Sequence, residues 1–80
     1  MLGDVLRTHR KSAGMTQEQL AHEAGVHRTY VSLLERNEKS PTLKVLMRLA
    51  RALNVRPSQL LAKVEEAMNP AEAWWEDPLG

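Results

Sequence analysis

The sequence predicts an all-α domain, on three observations. Apolar residues make up 42% of the 80 and are dominated by 12 Leu and 9 Ala, with no Phe and one Tyr, so the aromatic and β-branched types that enrich strands are scarce. The apolar positions recur at spacings of three and four residues, the period of a helix face. Gly, Asn and Pro punctuate that pattern at short intervals and divide it into five helices, with room for a short sixth.

Each element has its own signal. Leu2, Val5, Leu6 and Ala13 mark a first helix over 2–13, stopped by Ser12-Ala13-Gly14. Thr16 opens the second as N-cap, and Gln19 three positions on completes a capping box. Leu20, Ala21 and Ala24 form its inner stripe, and Gly25 ends it. After Gly25-Val26-His27 a third helix runs from about Arg28 to Arg36 with Val31 and Leu34 inward. The polar run from Asn37 to Pro41 is a loop. Leu43, Leu46, Leu49, Ala50 and Leu53 then mark a fourth helix that starts at Pro41 or Thr42. Asn54-Val55-Arg56-Pro57 turns into a fifth, whose stripe is Leu60, Leu61, Val64 and Met68. Asn69, Pro70 and Glu72 stand as N-cap, N1 and N3 of a short sixth helix that carries Trp74 and Trp75 and stops before Pro78.

Length and charge narrow the function. Eighty residues are read as one small domain, and a chain this short commonly needs a staple. With no Cys, disulfides and thiolate zinc sites are excluded, which directs attention to a partner subunit. No apolar run has the length of a membrane span, and the first residues lack the layout of a signal peptide, so the expected location is cytoplasmic. The net charge of +1 hides a division. Residues 1–63 hold all 11 Lys and Arg against 5 acids, a balance of +6, whereas residues 64–80 hold 5 acids and no Lys or Arg, a balance of −5. A basic body with an acidic tail fits a module that meets a polyanion with one face, although a patchless solvated surface carries the same totals.

The most informative stretch is 16–36. Two short helices joined by three residues around a Gly must cross steeply, because Gly enters the left-handed region without a Cβ clash. This is a helix-turn-helix. With Gln17 as its first position, the pattern requires a small residue at the fifth, Gly at the ninth, and apolar residues at the fourth, tenth, fifteenth and eighteenth. Ala21, Gly25, Leu20, Val26, Val31 and Leu34 fill those places in register. Ala21 lets the third helix approach the second, and the four larger residues fill the wedge beneath them.

These residues, with Met15-Thr16-Gln17-Glu18-Gln19-Leu20-Ala21, Tyr30-Val31-Ser32, Leu34-Glu35-Arg36-Asn37, Ser40-Pro41-Thr42-Leu43 and Leu49 to Val55, resemble the phage-repressor and Cro type of helix-turn-helix regulator, the xenobiotic-response-element-like family. The resemblance spans 2–63. It implies a five-helix lambda-repressor-like domain that docks on double-stranded DNA with its third helix in the major groove. On this reading 1–63 is the DNA-binding domain, with the helix-turn-helix at 17–36. Residues 64–80 are the end of the fifth helix and an acidic, Trp-bearing tail. His27 stands where the family commonly has Ser or Thr, Asn37 where it has Gly, and Arg56 where a Ser cap precedes Pro57.

A third helix that enters the groove N-terminus first presents His27, Arg28, Thr29, Ser32 and Leu33 to bases. Arg28 can donate two hydrogen bonds at once to guanine O6 and N7, and the Thr29 methyl can pack on a thymine methyl. Tyr30 either rests on a phosphate or packs against a neighbouring helix. Phosphates are expected at Thr16 and Gln17, at the start of the second helix, and at Arg36, Asn37, Lys39 and Ser40 after the third. Lys11 and Lys44 are weaker candidates. The resemblance further implies a largely buried Arg10–Glu35 ion pair between the first and third helices. Leu60, Leu61, Val64, Met68, Trp74 and Trp75 offer more apolar surface than so small a domain covers, so a homodimer through the fifth helix is expected. The Trp pair then lids its own domain, joins the dimer interface or takes another protein.

No catalytic constellation is present. His22-Glu23 begins like a zinc-protease helix, but the second His would fall at 26, which is Val26, and neither metal nor cofactor is implied. Three functions remain: a sequence-specific regulator or repressor acting as a homodimer on a palindromic operator, an antitoxin-like subunit whose tail holds a partner protein, and an interaction module that no longer reads bases.

Overall fold

The computed structural model describes residues 1–69 and 71–76, and within them every regular element is helical. The elements are α1 (Leu2–Ser12), α2 (Gln17–Ala24), α3 (Arg28–Glu35), α4 (Leu43–Ala52), α5 (Pro57–Ala67) and a 3₁₀ turn, Trp74–Glu76. Local chemistry sets their ends. Thr16 Oγ1 accepts from the Gln19 N–H at 3.0 Å while Gln19 Oε1 accepts from the Thr16 N–H at 2.8 Å, the two halves of the expected capping box. Gly25 ends α2 in the left-handed region at φ 69, which Gly enters freely. Thr42 is the N-cap of α4, its hydroxyl accepting from the Val45 N–H at 3.2 Å. Without a Ser before Pro57, α5 is capped from inside: Gln59 Oε1 accepts from the Arg56 N–H at 2.7 Å.

The helices close around one core. α2 packs on α3 and α4, α1 on α3 and α5, and α4 on α5. Leu6, Val31, Leu34, Leu20, Leu49 and Leu60 are fully buried where these contacts meet. Val26, Tyr30, Val55 and Val64 pack partly against them, so Tyr30 is a packing residue.

Two expectations are corrected below, after one refinement. Leu43 does mark the start of α4, but it is 71% exposed. At about 100° per residue, the buried arc through Leu46, Leu49, Ala50 and Leu53 leaves Leu43 at its margin and turns Met47 outward. Leu60, assigned to an unpartnered face, is fully buried in the chain's own core, where α5 meets α1 and α4. The short sixth helix is not formed as such. Asn69 Oδ1 accepts from the Ala71 and Glu72 N–H groups at 3.0 and 3.2 Å, yet the chain makes only turns and the three-residue 3₁₀ segment. A stretch between two prolines is too short to sustain an α-helix unaided. The assignments made to Pro70 and Pro78 lie outside the described residues, as does Asp77, the last of the tail's five acids.

Candidate nucleic-acid interface

The site is built on the fixed angle between α2 and α3, and the back of α3 is locked by a polar cluster. Arg10 Nε and Nη2 donate to the two carboxylate oxygens of Glu35 at 2.7 and 3.0 Å. Its Nη1 donates to the Met15 carbonyl at 2.9 Å. The Arg10 side chain is 11% exposed and that of Glu35 3%, so this bidentate pair is nearly dry. Hydrogen bonding to Glu35 raises the Arg10 pKa above its ordinary value against the opposing effect of burial, so the guanidinium stays charged. Both carboxylate oxygens of Glu35 have partners. α1, the α1–α2 connection and the last residue of α3 are thereby tied at one point.

With its inner face held by Val31, Leu34 and Glu35, α3 turns the other face outward. His27, Arg28 and Thr29 are exposed at its start, whereas Ser32 and Leu33 are half-buried one turn further on. His27 has extended backbone and makes no side-chain cap bond, so the first N–H groups of α3 have no side-chain partner. His27 and Arg28 also line one wall of a shallow cleft completed by Glu18, Ala21, His22 and Val26.

The residues expected at phosphates divide by what they already hold. Thr16 is exposed, and its hydroxyl oxygen caps α2 with its O–H proton still to offer. Gln17 Nε2 donates to Glu35 Oε1 at 3.2 Å, so its side chain turns toward the ion pair. Arg36 Nε lies 2.8 Å from Glu38 Oε2, with both side chains more than half exposed. Lys39 and Ser40 are exposed and make no side-chain bond among the described residues. Asn37 has a different task. At φ 60 it ends α3, and its Oδ1 accepts from the backbone nitrogens of Met1 and Gly3 at 2.8 and 2.9 Å. Its Oδ1 thus clips α1 to the end of α3, while its exposed Nδ2 lies 3.5 Å from Asp4 Oδ2 and is the group left for the expected phosphate contact.

Sequence reasoning passed over Gly3. A Cβ there would fall on the carbonyl oxygens of Leu34 and Glu35 and on Asn37 Oδ1, so only Gly lets α1 come this close. Its signal was a lone Gly inside an apolar helical period. Of the residues expected to pair two copies, Leu61 on α5 is 44% exposed, Val64 and Met68 are half-buried, and in the tail Trp74 and Trp75 are 75% and 40% exposed.

Three similarities bear on this geometry. A control protein, C.SmaI of Serratia marcescens, is 41% identical over 63 residues, 79% of this chain and 75% of that protein. The crystal structure of the restriction-modification controller C.AhdI from Aeromonas hydrophila matches with a TM-score of 0.73 at 37% identity, over 74% of this chain and 89% of that one. The P22 c2 repressor, solved in complex with a synthetic operator, matches with a TM-score of 0.71 at 32% identity, over 75% and 91%. By name these relatives are a control protein, a restriction-modification controller and a repressor. The helix-turn-helix family matches residues 6–60, which contain the whole α2–turn–α3 unit and the Arg10–Glu35 lock, and the chain belongs to that family of DNA-binding transcriptional regulators, with the five-helix fold of the phage repressors.

Proposed function

We propose that this protein is a sequence-specific regulator that binds a two-fold symmetric duplex as a homodimer, each copy laying α3 N-terminus first into the major groove. The observation that carries the reading is the outward face of the motif: His27, Arg28 and Thr29 stand free at the start of a helix whose other side is fixed by the core and by the Arg10–Glu35 pair. A rigid helix with a free arginine in its first turn fits direct readout, because a bidentate bond to guanine tolerates little error in position. Arg28 is the principal base reader, joined by Thr29 and His27. Ser32 and Leu33 give the floor of the contact with the part of their surface left open.

Thr16, Lys39 and Ser40 hold phosphates directly. Arg36 does so by exchanging Glu38 for a phosphate, which costs little because an exposed ion pair is weak. Gln17 contributes its backbone N–H at the start of α2, with its side chain left on Glu35. Dimerisation uses the open face of α5, with Leu61 at its centre and Val64 and Met68 beside it, and sets half-sites about 34 Å apart. The work is done in the cytoplasm on nucleoid DNA of a bacterial or phage type. No helix among the described residues is long and apolar enough to cross a membrane.

Selection of bound sequences from random duplexes, with the mass of the complex measured alongside, tests the reading. Recovery of an inverted repeat bound by two chains is expected. An asymmetric site, a single bound chain or no enrichment would overturn it.

A further inference from the structure

Two exposed features lie largely outside the interface proposed above, sharing with it only Lys44, a weaker phosphate candidate. One is the outward face of α4. The helix Leu43–Ala52 contains no acid, and Lys44, Arg48 and Arg51 recur at i, i+4 and i+7, all exposed. None of the three forms an ion pair among the described residues. Beside that cationic band, on the next strip of the same helix, lie Leu43 and Met47, 71% and 51% exposed. Arg48 and Arg51 also line a cleft against the end of α2 with His22, Glu23, Ala24 and Gly25.

The other feature is the tail. Trp74 and Trp75 meet edge to face, with ring centroids 5.7 Å apart, and both remain exposed. Glu72 and Glu76 flank them, and residues 64–80 contain no Lys or Arg. Two large apolar rings between acids stand open in the tail, while two large apolar side chains beside three cations lie uncovered on α4. A free Trp pair is rare on an unpartnered surface.

We propose that the tail of one copy docks on α4 of a second copy. Trp74 and Trp75 cover Leu43 and Met47, and Glu72 and Glu76 pair with the Lys44, Arg48 and Arg51 band. The dimensions agree: Lys44 to Arg51 spans about 10 Å along a helix, and Glu72 to Glu76, wound as a turn and the 3₁₀ segment, spans about 8 Å at about 2 Å per residue, a gap that two glutamate side chains bridge. The signs agree as well, since the tail is wholly acidic and the band wholly basic, and Arg stacks favourably on an indole face. The contact is head-to-tail, so it is separate from the α5 pairing proposed above and links one dimer to the next. Its small area makes it weak and sensitive to salt.

The protein has its own reporter, because its two tryptophans are both in the tail. At low ionic strength, raising the full-length chain from micromolar to sub-millimolar concentration should shift Trp emission to the blue and cut acrylamide quenching several-fold, with both changes reversed by high salt. The variant pairs E72K/E76K and R48E/R51E should each lose the change, and mixing the two should restore it, because every tail then meets a band of opposite sign on the other variant. Circular dichroism confirms that each remains folded. Overturning results are a change independent of concentration, which means the tail docks on its own body, and a tail still fully quenched at the highest concentration. Indifference to R48E/R51E would also overturn the proposal by placing the Trp pair on another surface, the α5 interface included. Sedimentation in the same samples reports α5 dimers independently, so loss of one contact is distinguishable from loss of the other.

Discussion

Replacing Glu35 with Ala should unfold this domain more readily than any other single change to a polar residue. The substitution removes both acceptors of Arg10, the 2.7 and 3.0 Å bonds, and leaves a guanidinium that is 11% exposed with only the Met15 carbonyl. A charge stranded in that way costs about 3 to 5 kcal/mol, a large share of the roughly 5 to 15 kcal/mol that holds a small domain together. At about 4 to 8 °C per kcal/mol for a chain of this size, the melting temperature should fall by at least about 12 °C. Urea unfolding followed by far-ultraviolet circular dichroism is the suitable assay, since both tryptophans are in the tail and do not report on the helical core. The double variant R10M/E35L should recover most of the loss, because it removes both charges and fills the space with apolar side chains. A loss below about 1 kcal/mol for Glu35→Ala would show a solvent-screened pair and refute the reasoning. A double variant as unstable as the single one would refute it differently, by showing that shape and not charge sets the cost.

Other outcomes follow from the same geometry. Arg28→Ala should lower affinity for the selected site by about 1 to 3 kcal/mol and much less for random DNA, as read by titration on both; equal losses would remove Arg28 from base reading. Lys39→Ala and Arg36→Ala should weaken binding to every sequence and each reduce the slope of log affinity against log salt by about 0.9, and an unchanged slope would move the phosphate rim elsewhere. Gly3→Ala should destabilise by about 1 to 3 kcal/mol in thermal melts, since the new Cβ would stand 2.6 Å from the Glu35 carbonyl oxygen and backbone must shift to admit it. A neutral result would mean that α1 can slide without loss.

What the sequence discloses about this protein is what short range decides. The Thr16–Gln19 box, the left-handed Gly25 and the apolar register from Leu20 to Leu34 each depend on neighbours within a turn or two, so five helices and their crossing are legible in the order of the residues. Gln17 and Asn37 resist that reading for a common reason: each has an amide that serves a DNA-facing surface and the protein's own frame equally well, and its partner is many residues away. Gln17 meets Glu35 and Asn37 meets Gly3, and neither distance is expressed in local spacing. Leu60 and Leu61 make the point most simply. They are adjacent and identical, yet one is fully buried and the other 44% exposed. The helical period separates them into two directions but cannot say which is inward, because α1 and α4 decide where the core lies. In the tail Ala73 is buried at 7% while the neighbouring Trp pair stays exposed, so the tail's charge is the property of the sequence that orients the rings, and in the proposed contact it directs them to a surface of opposite sign on another copy.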